Sequence, residues 1–178
     1  IEKAGTAGAM TVAVADSAAS GRDTATAITV DAAGRTFVTG WTYKPDLSDP
    51  DFITLAYDAA GGLLWSKERG GIPGGDDYAG TLALGSHGTL FVTGSSDNGT
   101  NQDFLTVAYS PGGYELFEHR YDGGGDDQGY LAVAGPDGSA YRARQVVFQT
   151  ALMGPAGQND ASAGVRVSTI SEDTRPGR

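Results

Sequence analysis

The side chains best suited to chemistry in this chain are carboxylates, and they come in clusters. The segment PDLSDPDF sets Asp46, Asp49 and Asp51 within six residues, and a corresponding stretch further on offers Asp97, Asn98, Asn101 and Asp103. Calcium takes several carboxylate and carbonyl oxygens on a flexible loop, so short Asp spacing of this kind can converge oxygens on one ion. Neither stretch carries the EF-hand pattern, and Asp and Asn are favoured turn formers in their own right. Solvated turn residues are therefore the preferred reading, with a calcium site the functional alternative.

Two acidic pairs, Asp76–Asp77 and Asp126–Asp127, each follow a glycine-rich link. One carboxylate of each pair is expected to accept backbone N–H bonds that fasten neighbouring units, leaving the other in water. The competing reading is acid/base work by paired carboxylates, as in glycoside hydrolysis, which needs a controlled separation across a cleft. That would make the chain a carbohydrate-active enzyme or an accessory domain of one. Recurrence of the pairs favours the architectural role, and no catalytic residue is assigned. His87 and His119 occupy positions that do not demand imidazole. A GxSxG elbow, an HExxH segment and a phosphate-binding glycine loop are all missing from the sequence. Trp41 and Tyr43, beside the loop 42–50, are the ligand-binding candidates: a Trp there can stack a sugar ring or contact a protein partner.

These side chains need a rigid frame, and composition says what kind. The 178 residues include 28 glycines and no cysteine, which predicts many tight turns and excludes disulfides and thiolate metal sites. The net charge is −10, with seven basic against nineteen acidic side chains through Tyr141. Such a surface repels polyanions, which argues against nucleic acid and anionic membrane surfaces as partners. No apolar run is long enough to insert into a bilayer as a helix.

The frame is a repeat. GRTFVTGWT from Gly34 returns as GTLFVTGSS from Gly88, and DFITLAYDAAGGLLW from Asp51 returns as DFLTVAYSPGGYELF from Asp103. Asp23, Ile28, Gly34 and Gly40 lie 54 positions before Asp77, Leu82, Gly88 and Gly94, while Asp51, Tyr57 and Gly61 lie 52 positions before Asp103, Tyr109 and Gly113. Periods of this size mark units that bury their apolar faces only against neighbours. Each unit reads as four short β-rich runs separated by turns: ATAITVD, TFVTGWT, FITLAYD and LLWSKER in the first, GTLALGS, TLFVTGS, FLTVAYS and YELFEHRY in the second. The expectation is an all-β protein of four-stranded antiparallel blades forming an incomplete propeller. The alternative is a β-solenoid with parallel ladders. Gly40 and Gly94 are expected where a close backbone approach or a bulge is needed.

The ordered series Asp-aromatic-x-Thr-x-x-Tyr, Gly-Gly turn, aromatic at Trp65 or Phe117, Gly-rich link, Asp-Asp, and aromatic-Val-Thr-Gly resembles the bacterial SBBP-type β-propeller repeat family over about Asp23 to Tyr141. The resemblance implies a secreted or cell-surface bacterial module, noncatalytic, acting as a scaffold or in recognition of a protein or glycan. It carries over no catalytic residue and no cofactor.

The units divide the chain into a strand remnant of a preceding unit (1–21), two full units (22–75 and 76–125), a partial unit (126–141) and a divergent tail (142–178) whose end, SEDTRPGR, reads as disordered. A 54-residue shift places Thr11 to Ala15 opposite Trp65 to Arg69, the last strand of a unit. Leu131 lies seven positions before Gly138, against six for Ile28 and Leu82 before their glycines, so the third unit's first hairpin is expected to be shifted by one residue. The tail is open between a degenerate strand, a short helix around Gln145 to Met153, and a nonhomologous end. Two full units fall short of a closed propeller, so the missing neighbours are either further units of a longer chain, the favoured reading, or other copies in a homo-oligomer.

Overall fold

The computed structural model describes residues 2–4, 10–12, 22–44, 49–134, 140–146 and 165–170, and the side chains of 22–44, 49–129, 132 and 134 among them. In these segments the chain is all β. The strands are β1 (Glu2–Ala4), β2 (Met10–Val12), β3 (Asp23–Val30), β4 (Thr36–Tyr43), β5 (Pro50–Tyr57), β6 (Leu63–Arg69), β7 (Asp77–Leu84), β8 (Leu90–Asp97), β9 (Gln102–Tyr109), β10 (Glu115–Tyr121), β11 (Asp127–Ala134), β12 (Ala140–Val146) and β13 (Val165–Ile170). They form two four-stranded meanders, β3-β4-β5-β6 and β7-β8-β9-β10, a three-stranded sheet β11-β12-β13 and the hairpin β1-β2. Every ladder is antiparallel, which excludes the parallel solenoid for the described residues. All eight runs expected of the two full units are strands.

Local chemistry explains the hairpins. In the β3–β4 turn the Asp31 carboxylate accepts the Ala33 and Arg35 amides (2.9 and 2.8 Å), and the Gly34 amide donates to the Asp31 carbonyl (3.0 Å). Gly34 and its equivalent Gly88 both sit at positive φ (79° and 80°), a conformation costly for a residue with a Cβ.

Each first hairpin carries the same bulge. Pairing slips between Ala25 and Ala27 in β3, Ala79 and Thr81 in β7, and Gly129 and Leu131 in β11. Gly40 and Gly94 lie opposite the first two, and their close approach is extreme. A Cβ on Gly40 would fall 1.8 Å from the Thr24 carbonyl oxygen, and one on Gly94 would fall 2.0 Å from that of Tyr78. The cross-strand pairing corrects the one-residue shift expected in the third unit. Ala132 pairs with Arg142 as Ile28 pairs with Val38 and Leu82 with Val92, so Ala132, not Leu131, is the equivalent position and the hairpin keeps its register. β12 continues through Val146, where a helix was one option, and β13 adds a strand from the tail. Residues 147–153 and SEDTRPGR lie outside the described residues, as do 13–15 of the N-terminal remnant.

The second sheet lies between the first and the third, with β7 against β3, β4 and β5, and β11 against β7, β8 and β9. It is thus covered on both faces, and β8 and β9 are buried at nearly every position. Between the first and second sheets Phe37, Phe52 and Ala56 meet Leu82, Leu90, Val92, Val107 and Tyr109, with Trp65 packed alongside. Trp65 reaches Tyr109 (ring centroids 5.9 Å apart) and donates from Nε1 to the Pro111 carbonyl (3.2 Å). Its equivalent Phe117 packs with Phe91, Ala108 and Ala134 one interface further on. Threonines inside these layers satisfy one another: Thr39 and Thr54 hydroxyls are 3.2 Å apart and Thr93 and Thr106 3.1 Å, which removes the penalty of burying an unpaired hydroxyl.

Candidate functional site

The loops at the β4–β5, β6–β7 and β8–β9 ends gather most of the carboxylates read from the sequence. Asp46 lies outside the described residues. Asp49 and Asp51 are buried (2% and 8% exposed) rather than solvated. Burial is tolerable because Lys44, at the end of β4, donates its ammonium to Asp49 and stands 3.5 Å from Asp51 Oδ2. The lysine thus fills a place a cation would take, and calcium there would have to displace it. Burial, first of all, holds the Asp51 carboxyl above its ordinary value despite Lys44, and the Asp49 charge adds to this.

In the second unit Asp103 is sealed (1% exposed) and accepts from Arg120 Nη1 (3.3 Å) and Asn98 Nδ2 (2.9 Å). Arg120 also donates to the Ser96 hydroxyl (2.8 Å). Asp97 caps the loop by accepting the Gly99 amide (2.6 Å). Among the described residues no cluster of three or more His, Cys, Asp or Glu side chains is arranged to hold a metal ion.

The acidic pairs divide their labour as the architectural reading expects. Asp77 is fully buried and accepts the Gly71 amide from the preceding link (2.6 Å), while Asp127 is fully buried and accepts the Gly123 amide (2.5 Å). Their neighbours are more open: Asp76 is half-buried and accepts the Tyr78 hydroxyl (3.0 Å), and exposed Asp126 accepts the Gln102 amide (3.1 Å). Each buried carboxylate therefore ties the first strand of one sheet to the chain leaving the previous one. Desolvation raises the Asp77 carboxyl, and the nearby Asp51 charge raises it further; the Ser96 hydroxyl, the Gly71 amide and Arg120 pull the other way.

Trp41 and Tyr43 fall at the same end of the seam between the first two sheets. Trp41 meets Tyr78 edge to face, with ring centroids 5.3 Å apart and planes at 90°. Burial pushes the Tyr78 hydroxyl above its ordinary range, and the Asp76 carboxylate and the Tyr43 hydroxyl beside it add to the effect. The result is a half-buried group of three aromatic rings with one carboxylate. The sequence reading chose Trp41 and Tyr43 but missed Tyr78, because Tyr78 comes from the next unit; its place directly after Asp76–Asp77, where the third unit has Gln128, was the available signal.

A polar cleft opens on the outer side of the same end, lined by Arg69, Ile72, Asp97, Asn98, Glu118 and Arg120 among others. Arg69 is already engaged by Glu118 and Glu115, and Arg120 by Asp103. His87 and His119 are exposed.

No family model matches the chain. Over 47 residues it is 49% identical to the flagellar basal-body rod protein FlgC of Yersinia enterocolitica, a stretch that takes up 26% of this chain and 32% of that protein. The chain therefore spans about a third of the length of that relative.

Proposed function

We propose that this chain is a noncatalytic β-propeller repeat module of the SBBP type, in which each four-stranded sheet is a blade, and that it serves recognition of a glycan at a bacterial cell surface or outside the cell. The observation that carries this reading is the Trp41–Tyr43–Tyr78 group with the Asp76 carboxylate. Aromatic rings offer flat apolar faces to the C–H surface of a sugar, and a neighbouring carboxylate accepts its hydroxyls; a few placed polar groups on an apolar platform suffice to orient a ligand. The group belongs to one place in the chain, since Ser95 stands at the position equivalent to Trp41. Recognition by a unique platform on a repeated frame fits this better than a purely structural role.

Burial of one carboxylate in each acidic pair supports the noncatalytic reading. A general acid must reach the glycosidic oxygen, and Asp77 and Asp127 are sealed under backbone. The test is a glycan array followed by titration calorimetry. Trp41→Ser, which copies the second unit, is expected to weaken binding about tenfold or more, equivalent to about 1.4 kcal/mol, with the melting temperature little changed. Binding indifferent to Trp41 would overturn the site assignment. Turnover of a polysaccharide that vanished in Asp76→Asn or Asp77→Asn would overturn the noncatalytic reading.

A further inference from the structure

The carboxylate of the aromatic group differs from Asp31, Asp49 and Asp103, each of which holds a Lys or Arg side chain. Among the described residues no Lys, Arg or His forms an ion pair with Asp76, and its carboxylate accepts instead from the Tyr78 hydroxyl (3.0 Å). Burial, first of all, pushes that hydroxyl up, so it stays a neutral donor. A hydrogen bond from a neutral phenol orients the carboxylate without cancelling its charge.

The rings around Asp76 are placed to share a positive charge with it. Trp41 and Tyr78 stand edge to face with planes at 90° and centroids 5.3 Å apart, so their two π faces wall a right-angled corner. The face of an aromatic ring is the negative part of its quadrupole, and a cation within about 6 Å of the centroid is attracted to it. Tyr43 is two residues from Trp41 on β4 and so stands on the same face of the strand, with its hydroxyl beside that of Tyr78. Trp41, Tyr43, Asp76 and Tyr78 are all half-buried, open to a ligand yet partly withdrawn from water, where such attraction is strongest.

The surroundings add no competing cation. Lys44, next to Tyr43, is engaged by Asp49 and Asp51, and the Gln102 side chain and the Asp97 amide reach Asp76 only at its backbone carbonyl. The net charge of −10 favours positive ligands over the whole surface. A neutral sugar hydroxyl would satisfy the carboxylate's hydrogen bonding and leave its charge unanswered, whereas a protonated amine answers both.

We propose that the corner formed by Trp41, Tyr43 and Tyr78 with Asp76 takes a protonated primary amine, so that the glycan recognised there carries free amino groups, as a de-N-acetylated amino-sugar polymer does. The proposal rests on the glycan-recognition reading of this same site and adds the charge of the ligand to it.

The experiment is titration calorimetry on the full chain with two probes, the β-1,4-linked glucosamine tetramer and its fully N-acetylated counterpart. The amine form is expected to bind about tenfold more tightly. Asp76→Asn, which keeps an acceptor for Tyr78, should abolish that preference while the N-acetylated tetramer binds as before. Trp41→Ser should weaken both. Asp122→Asn removes the same charge from the next link, where the carboxylate caps Gly124, and should leave the preference intact. Tyr78→Phe removes the competing donor and keeps the ring, so the preference should persist there too, which tests the pairing without changing Asp76. Equal binding of the two tetramers, still dependent on Trp41, overturns this proposal and leaves the glycan platform standing; binding of neither overturns both. A preference that survives Asp76→Asn or disappears in Asp122→Asn reports only the overall acidity of the chain and overturns the proposal, as does its loss in Tyr78→Phe. A trimethyllysine peptide that bound at Trp41 more tightly than either tetramer would make the ligand a protein and overturn it as well.

Discussion

Gly94 offers the sharpest test of the bulged hairpin, because the obstacle is backbone rather than a movable side chain. In Gly94→Ala the new Cβ would begin 2.0 Å from the Tyr78 carbonyl oxygen, 2.9 Å from the Ala79 Cα and 2.7 Å from Phe52 Cζ. An ordinary carbon–oxygen contact is about 3.3 Å, so the β7–β8 ladder must open by roughly 1.3 Å at this point. Overpacking of this kind costs about 1–3 kcal/mol, and each ladder hydrogen bond lost adds about 0.5–1.5 kcal/mol. Together they give about 3 kcal/mol, a large part of the roughly 5–15 kcal/mol that holds a domain folded. Gly74→Ala is the control: its φ is +79° but nothing lies within 4 Å of the new atom, so it carries only the left-handed backbone cost of about 1–2 kcal/mol. Urea unfolding at constant slope should show the difference, and Gly94→Ala should melt roughly 6–12 °C below the wild type. If Gly94→Ala proved no more damaging than Gly74→Ala, the close approach would not be a constraint on the fold and the reasoning would fail.

Three further expectations follow the same packing. Phe52→Ala removes a ring buried between the first two sheets (2% exposed) and should cost about 3–5 kcal/mol; a loss below about 1 kcal/mol in urea titration would mean that the interface does not hold the sheets together. Arg120→Met strips Asp103 of its cation while leaving the Asn98 hydrogen bond, and with the guanidinium partly exposed the cost should be about 1–3 kcal/mol, measured by the same titration and refuted by a neutral result. Asp77 has a folded pKa raised above 3.8, so the native state binds more protons in that window: its contribution is fully present below the unfolded value and declines as pH rises through the folded one. Asp77→Asn keeps an acceptor for the Gly71 amide and should remove that decline, so the wild-type-minus-variant difference in urea midpoint should fall with rising pH; a difference that rose would contradict the burial argument.

Much of the frame was legible because it depends on short-range chemistry repeated in register. Two runs such as FITLAYD and FLTVAYS, each closed by a Gly-Gly turn, specify strands and hairpins by local preference alone, and all eight strands lie where those runs are. Gly40 and Gly94 could be marked as close-approach positions because a glycine recurring inside a β-rich run has few other uses. The division of Asp76–Asp77 into a buried and a more open carboxylate was also readable, from its recurrence after each link.

Tertiary structure alone decided what happened between units. Asp49, Asp51 and Asp103 read as solvated turn residues because turns are polar; they are buried because Lys44 and Arg120, from strands distant in sequence for Asp103, come to them, and no local pattern encodes a partner's approach. The register of the third hairpin was misread for a related reason. Counting from Leu131 to Gly138 took Leu131 as the equivalent of Ile28 and Leu82, whereas the cross-strand pairing of Ala132 with Arg142 makes Ala132, six residues before Gly138, the equivalent position. Tyr78 entered the aromatic group only when the second sheet stacked on the first and set its ring against Trp41. Sequence period therefore determined the unit, its strands and its turns, since these follow from backbone preferences and alternation within about ten residues. Which side chains meet across the seam depended on how whole sheets stack, because that contact is made between residues some fifty positions apart.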